Sequence, residues 1–216
     1  MKGYGQYCAL ARSLDRIGDR WTLLIIRELL IGPRRYSDIR AAVPAIATNL
    51  LSQRLRDLEA QGIVTRRRLP PPAASSVYEL TEVGRELEPA VLALIRWGRH
   101  WMLEDQPQDT FKPGWLALAL RALIPPESLR DVDLVCKFWL HGEELDLHFS
   151  EKGVEVASGD SRPSVEIETS PASLLEVAVA QRSFDSAVQE GRIAVRGDEE
   201  GRRLLRQALS AGAVAT

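Results

Sequence analysis

The hydrophobic residues of this chain change their spacing abruptly at Gly62. Before Gly62 they recur at intervals of three and four residues, which is the period of an amphipathic α-helix. After it, residues 63–69 and 76–80 have the composition of two short β-strands on either side of a proline-rich turn. At Thr81 the helical spacing returns. Few small folds combine a run of helices, one hairpin and a closing helix in this order.

Four helices are predicted before the hairpin, at residues 7–17, 21–30, 38–43 and 47–61. Ser37 is the expected cap of the third helix. The closing helix begins at a Thr81 cap, reaches about Leu103 and bends at Pro89, because proline cannot donate the helical hydrogen bond. This order of elements predicts a winged helix-turn-helix.

A polar segment at residues 104–109 contains Pro107 and has no hydrophobic period, so it is predicted to be a linker. Beyond it we expect an apolar helix at 114–124, four short alternating strands forming an antiparallel sheet, and a fifth strand at 193–195. Covering helices are predicted at residues 172–181, 184–189 and 199–208. The expected fold class is α+β, with a winged helix domain at 1–105 and a smaller sheet domain at 110–216.

Nothing in the sequence predicts a membrane segment or a secreted protein. The longest apolar runs, at 90–95 and 115–120, hold six residues each, against roughly 20 for a membrane-spanning helix. The first residues have no signal-peptide pattern. Cys8 and Cys136 cannot build a disulfide framework, which fits a reducing compartment. We therefore expect a cytoplasmic protein that does not contact a membrane.

Charge is distributed unevenly along the chain. Residues 1–78 hold 13 Lys and Arg against 6 Asp and Glu, whereas residues 106–216 hold 12 against 18. A basic half joined to an acidic half indicates that only the first half binds a polyanion. Chance variation of surface charge is the alternative.

The predicted fourth helix has two distinct faces. Leu51, Leu55 and Leu58 form one apolar stripe, and the opposite stripe consists of donor-rich side chains: Asn49, Ser52, Gln53 and Arg56. Amides pair with adenine edges, arginine pairs with guanine or phosphate, and an α-helix fits the major groove. This face predicts base contacts, and an ordinary solvated face is the alternative.

The hairpin carries three consecutive arginines, Arg66, Arg67 and Arg68. Their side chains alternate along a strand and so reach both sides of a narrow ribbon. Arg34 and Arg35 add two cations before the third helix. Like charges this dense favour an anionic partner such as the DNA phosphates, although a charge run alone is usually just solvated. Together with the helix stripe they favour binding to double-stranded DNA.

Five segments carry a resemblance to the HxlR family of bacterial transcription regulators: Trp21–Leu29, Gly32–Ile39, Leu51–Glu59, Tyr78–Thr81 and Trp97–Gly98. The resemblance covers about residues 4–103. It implies a dimeric winged helix whose recognition helix lies in the major groove of an operator. One difference is that the family usually has serine before that helix, where this chain has Ala47. Thr48 is expected to replace it as a cap or a phosphate contact.

Cys8 lies where many members of that family carry a cysteine. Some of those relatives sense oxidants or electrophiles through it. Two interpretations stay open: a redox-active thiol with Arg12 one helical turn away, or a small buried residue of the first helix.

The second half resembles the sterol-carrier-like fold over about residues 113–210, mainly through residues 191–198 and the following Leu204 and Leu205. That resemblance implies strands and helices around an apolar cavity and hence an apolar small-molecule effector. The candidate wall residues are Phe138, Trp139, Leu140, Leu145, Leu147 and Phe149. Ordinary core packing is the alternative for all six.

Motifs of enzymes are missing from the sequence, including the P-loop, the nucleophile elbow and the dinucleotide-binding glycine pattern. The three histidines have no metal-ligand spacing. We expect no enzymatic activity, no cofactor and no metal. The favoured interpretation is a homodimeric DNA-binding regulator in which Leu92, Ile95 and Trp97, with Leu10 and Leu14, form the dimer contact. The alternatives are an apolar-ligand carrier and an adaptor that does not bind DNA.

Overall fold

The computed structural model describes residues 3–71, 75–102, 110–157, 161–179 and 181–211. The chain divides into two compact units, Met1–Val91 and Leu92–Thr216. The predicted linker at 104–109 lies outside the described residues.

The first unit contains the predicted helices and hairpin. Its elements are α1 (Ala9–Ile17), α2 (Thr22–Ile31), α3 (Tyr36–Ala42), α4 (Thr48–Ala60), β1 (Val64–Arg68), β2 (Ser76–Leu80) and α5 (Glu82–Arg85). The next helix, α6 (Glu88–Gly98), begins in the first unit and ends in the second. A 3₁₀ turn at Arg99–Trp101 follows it.

The core of the first unit forms around the apolar stripe of α4. Leu51, Leu55 and Leu58 are buried, as the helical spacing predicts, together with Ile25 of α2 and Ile39 of α3. Burying side chains of this size contributes roughly 1.5–3 kcal/mol each. This packing fixes which face of α4 remains exposed to solvent.

The start of α3 differs from the prediction. The helix begins at Tyr36, so Ser37 lies in its first turn and does not cap it. Asp38 instead accepts a hydrogen bond of 3.0 Å from the backbone N–H of Arg35. A carboxylate in the first turn satisfies a free N–H and complements the helix dipole, and it takes the place of the serine cap.

The closing helix is two helices rather than one bent helix. Thr81 caps α5 as predicted, accepting a hydrogen bond of 3.1 Å from the N–H of Gly84. The helix then ends at Arg85, and α6 begins at Glu88 with Pro89 in its first turn. Proline is tolerated at that position because its missing N–H would have had no helical partner. Pro89 therefore starts a helix instead of bending one. Leu103, the expected end, lies outside the described residues.

The second unit is a five-stranded sheet with helices. Its elements are α7 (Pro113–Leu123), a 3₁₀ turn (Pro126–Leu129), β3 (Leu134–Leu140), β4 (Glu143–Ser150), β5 (Gly153–Val156), β6 (Val165–Thr169), α8 (Pro171–Ala178), α9 (Phe184–Gln189), β7 (Ile193–Gly197) and α10 (Glu199–Ala211). The strand order is β5-β4-β3-β6-β7.

Two parts of the sheet-domain prediction were wrong. The sheet is mixed, because β6 returns to the far side of β3 and runs parallel to it, with Cys136 opposite Val165. Alternating residues predict a strand and its buried face but not its direction. The second unit is also the longer of the two, since it begins at Leu92 rather than after the linker.

One face of this sheet is the core of the second unit. Cys136, Phe138, Leu147 and Phe149 are fully buried there, beneath α7, α8 and α10. Burial in this apolar layer raises the pKa of the Cys136 thiol, so the group stays protonated. The opposite face is polar and carries no covering helix in the described chain.

Across the described ranges, every helix is too short or too polar to span a lipid bilayer.

Candidate nucleic-acid interface

The exposed face of α4 presents the predicted donor-rich stripe. Asn49, Gln53 and Arg56 are exposed, and Ser52 is half-buried. The Asn49 side chain turns back at the start of the helix, where its Oδ1 accepts a hydrogen bond of 2.9 Å from the N–H of Leu50. Its amide NH₂ has no hydrogen-bond partner among the described residues. The stripe therefore keeps donors that can bind base edges.

Side-chain hydrogen bonds connect the far end of this stripe. Arg56 donates to Oε1 of Gln53 at 2.8 Å, and Nε2 of Gln53 donates to Asp57 at 2.7 Å. Arg54 joins the same carboxylate at 3.3 Å and also pairs with Asp19 at 2.6 Å. The roles of Asp57 and Arg54 were not predicted from the sequence, although their three- and four-residue spacing along α4 is the available signal. Gln53 is held in one orientation before any ligand binds.

Tyr36 links α3 to the start of α4. Its hydroxyl donates to the carbonyl oxygen of Thr48 at 2.9 Å and accepts a bond of 3.1 Å from Ser52. Arg40 of α3 donates to the Thr48 hydroxyl. The N-cap of α4 is Ala47, which makes no side-chain bond, so Thr48 does not act as the expected cap. Tyr36 and Arg40 were not predicted from the sequence, and they fix α4 where a serine cap is missing.

The three wing arginines differ in their surroundings. Opposite partners in the hairpin are Arg66 with Tyr78, Arg67 with Val77 and Arg68 with Ser76. The Arg66 guanidinium lies 5.9 Å from the centre of the Tyr78 ring. Arg67 pairs with Glu79 at 3.1 Å, and Arg68 is exposed without an ion pair in the described part of the chain. The expected spread over the ribbon is present, with Arg67 partly neutralised.

Arg34 and Arg35 are placed differently from each other. The backbone of Arg34 exchanges two hydrogen bonds with Tyr78, at 3.0 and 2.7 Å, which adds a short third strand beside β2. Arg34 is half-buried and its Nε is enclosed without a partner, whereas Arg35 is exposed just before α3. Tyr78 thus lies between Arg34 and Arg66, and Arg35 is the more accessible cation of the pair.

The segment before and within α1 is exposed. Cys8 occupies the N-cap position of α1 and is exposed, so the expectation of a small buried residue was wrong. The apolar side chains of Tyr7, Leu10 and Leu14 are also exposed, at 105%, 67% and 40%. An amphipathic helix with its apolar side in water lacks a partner surface.

The six candidate wall residues of the second unit do not share one surface. Phe138, Leu140, Leu147 and Phe149 are buried in the core, and Leu145 packs against them in a partly buried position. Trp139 lies on the opposite face of the sheet and is 37% exposed. The structure thus groups five of the six.

The first unit combines the parts of a winged helix-turn-helix: α3 and α4 joined by a short turn, and a basic hairpin after them. Residues 16–106 match the HxlR-like helix-turn-helix family. The chain belongs to that family.

Relatives match the same half of the chain. An uncharacterized HTH-type transcriptional regulator of Synechocystis, sll1512, is 34% identical over 110 residues, which are 51% of this chain and 82% of the relative. The transcriptional regulator YodB of Bacillus subtilis is 35% identical over 98 residues, or 45% of this chain and 85% of YodB. Both relatives are named as HTH-type transcriptional regulators.

Among solved structures, the oxidized form of the redox regulator HypR is 36% identical to this chain. The match covers 43% of this chain and 96% of the HypR chain, with a TM-score of 0.41.

Proposed function

We propose that this protein is a homodimeric transcription regulator that binds double-stranded operator DNA. The observation that carries the proposal is the exposed, donor-rich face of α4 next to the arginine hairpin, within residues 1–78, which carry a net charge of +7. Membership of the HxlR-like family supports it.

Each element of the interface has a distinct role in this proposal. Thr48, Asn49, Ser52 and Gln53 face base edges or the nearest phosphates. Arg56, Arg34, Arg35 and the wing arginines Arg66, Arg67 and Arg68 bind mainly phosphates, which set the affinity and its salt dependence. The Gln53–Asp57 bond has to exchange for a base contact when DNA binds.

The test is a mobility-shift titration of the full chain with genomic fragments, including the DNA upstream of its own gene, at 50 and 200 mM salt. We expect one fragment to bind at least about 1000-fold more tightly than random duplex. If no duplex binds at 50 mM salt, the carrier or adaptor interpretation replaces this one.

The proposed dimer uses the exposed apolar side chains of two helices. In α1 these are Leu10 and Leu14, and in α6 they are Leu94 and Trp97, which are 46% and 63% exposed. Leu92 and Ile95, the other expected contacts, are half-buried. A second copy of the chain would remove these side chains from water, and a two-fold axis matches two half-sites about one DNA turn apart.

Leu10→Asp is expected to weaken the dimer at least about 100-fold, because a carboxylate would be buried at an apolar contact in both protomers. Arg12→Asp, which places a carboxylate on the exposed side of α1 opposite Leu10 and Leu14, is the control and leaves the dimer intact. Sedimentation velocity between 0.1 and 50 μM measures both. A dimer that persists in Leu10→Asp would contradict the assignment of this face.

Two signals are proposed to modulate the regulator. An apolar small molecule would bind among Phe138, Leu140, Leu145, Leu147 and Phe149, entering between the sheet and its helices, since these side chains form the core there. Alkylation of Cys8, or oxidation of the two Cys8 thiols of a dimer to one disulfide by a two-electron oxidant such as diamide, would act next to the apolar side of α1, where Cys8 is exposed. Both would act through the dimer contact and so through half-site spacing.

One assay separates the two signals: operator affinity of the wild type and of Cys8→Ser, measured with oleate and, separately, after diamide oxidation. The apolar effector predicts at least about a fivefold change with oleate in both proteins, the usual size of such coupling. The thiol switch predicts a change with diamide in the wild type alone. Unchanged affinity under every condition would remove both modulators from the proposal.

A further inference from the structure

A cleft of about 790 Å³ opens on the uncovered face of the sheet in the second unit. It lies where β3 and β6 end and β7 begins. Its lining includes Trp139, Glu166, Glu168, Ala194 and Arg196. The volume is in the usual range for small-molecule sites. This face is opposite the apolar core, so the cleft is separate from the proposed effector position.

One row of side chains crosses four strands of this face, and three of its members, Trp139, Glu168 and Ala194, line the cleft. Trp139 lies opposite Glu144 of β4 on one side and opposite Glu168 of β6 on the other. Glu168 in turn lies opposite Ala194 of β7. Residues opposite each other on one face of a sheet are within reach of each other. The row therefore places an indole between two carboxylates and ends at a small side chain that leaves space.

Two cations at or near the cleft are already neutralised by ion pairs. Lys137 pairs with Glu144 at 2.8 Å, and Arg192 pairs with Glu176 at 3.2 Å. The hydrogen bond to Glu144 raises the pKa of Lys137, which keeps the ammonium charged.

Glu168 has no cation opposite it in the sheet. In the described part of the chain it makes no hydrogen bond or ion pair, and its neighbour across β7 is Ala194 rather than a cation. The next acidic residue of β6, Glu166, lies opposite Arg196. The carboxylate of Glu168 therefore lies without an opposite cation between the indole of Trp139 and the small side chain of Ala194.

Trp139 is the second attractive group. The Trp139 side chain is 37% exposed on the polar face of the sheet, so part of its apolar ring contacts water. Its ring already attracts a cation of the protein, because Nζ of Lys137 lies 5.6 Å from the ring centre. We propose that the cleft binds an organic cation with a flat apolar body, the body on Trp139 and the positive group at Glu168. This site is independent of the apolar core and of the DNA interface.

The test uses three probes with the same naphthalene ring: 1-naphthylmethylammonium, 1-naphthalenemethanol and 1-naphthalenesulfonate. Isothermal titration of the full chain measures each at low ionic strength. The ammonium is expected to bind at least tenfold more tightly than the alcohol, and the sulfonate most weakly. Equal affinity for all three, preference for the sulfonate, or no binding of the ammonium at millimolar concentration would overturn the proposal.

Variants locate the binding. Glu168→Gln and Trp139→Leu should each weaken ammonium binding about five- to tenfold, and Ala194→Val should block the cleft without changing its charge. Glu155→Gln, an exposed carboxylate of β5 on the same face, is the control and leaves binding unchanged. Thermal unfolding confirms that each variant is folded. Ammonium binding that survives both Glu168→Gln and Ala194→Val would place it elsewhere.

Discussion

Replacing Arg66 and Arg68 with alanine is expected to lower operator affinity about 100-fold at 50 mM salt. Both side chains are exposed on the wing, and Arg68 makes no internal ion pair within the described residues. Each phosphate contact that disappears also removes about one unit from the slope of log affinity against log salt. Because a dimer has two wings, the double variant should flatten that slope by up to about four units. Mobility shifts between 50 and 300 mM salt measure affinity and slope together.

The pattern across sequences separates phosphate contacts from base contacts. The wing variant should weaken operator and random duplex alike, whereas Gln53→Ala should keep the salt slope and lose preference at one or two base pairs. Arg67→Ala should have a smaller effect, because Glu79 already neutralises that guanidinium. Replacing Arg130 and Arg202 with alanine, which removes two exposed arginines from the second unit, is the charge-matched control. A wing variant with the wild-type salt slope would contradict phosphate binding by the hairpin.

Hydrophobic spacing predicted the elements of the first unit well. The stripe of Leu51, Leu55 and Leu58 is buried, and β2 has the predicted bounds. The spacing of hydrophobic residues predicts which side of a helix or strand faces the core. In a unit this small there is a single core against which that side can pack.

Features that depend on specific hydrogen bonds were harder to predict. Asp38 takes the place of the predicted Ser37 cap, and Tyr36 supports α4. The second contact depends on how far α3 lies from α4, and that distance is set by tertiary packing. The orientation of Gln53 by Asp57 depends on a choice among several partners within reach on one helix.

In the second unit, the direction of one strand and the residue on the outer face of the sheet were predicted wrongly. Parallel pairing of β3 with β6 leaves no mark in residue alternation. The position of Trp139 was predictable, however, because it lies between Phe138 and Leu140 and successive strand residues point to opposite faces. Trp139 was grouped with Phe138 and Leu140 because it is hydrophobic, although the two-residue period of a strand places it on the other face.

Gly84→Ala is expected to lower the unfolding temperature of the first unit by at least about 12 °C. A Cβ built at Gly84 would lie 2.1 Å from the carbonyl oxygen of Ile63 and 3.1 Å from a methyl group of Leu80. That carbonyl accepts a 3.0 Å hydrogen bond from the N–H of Thr81, so moving it away also disturbs the cap of α5. Overpacking costs about 1–3 kcal/mol, and a Cβ 2.1 Å from a backbone oxygen places this site at the upper end of that range. In a unit of this size 1 kcal/mol corresponds to roughly 4–8 °C.

Gly98→Ala makes the same substitution at the last residue of α6, in the second unit, and is the control for an added methyl group without a clash. Nothing lies within 4 Å of a Cβ at Gly98, so alanine's higher helix propensity should stabilise by about 0.5–1 kcal/mol. Differential scanning calorimetry measures the unfolding temperature of each unit, the first for Gly84→Ala and the second for Gly98→Ala. The same added methyl group should therefore have opposite signs at the two positions. A Gly84→Ala protein as stable as the wild type would mean that α5 is not packed against the Ile63 carbonyl, and the anchoring of the wing to the helical core would have to be revised.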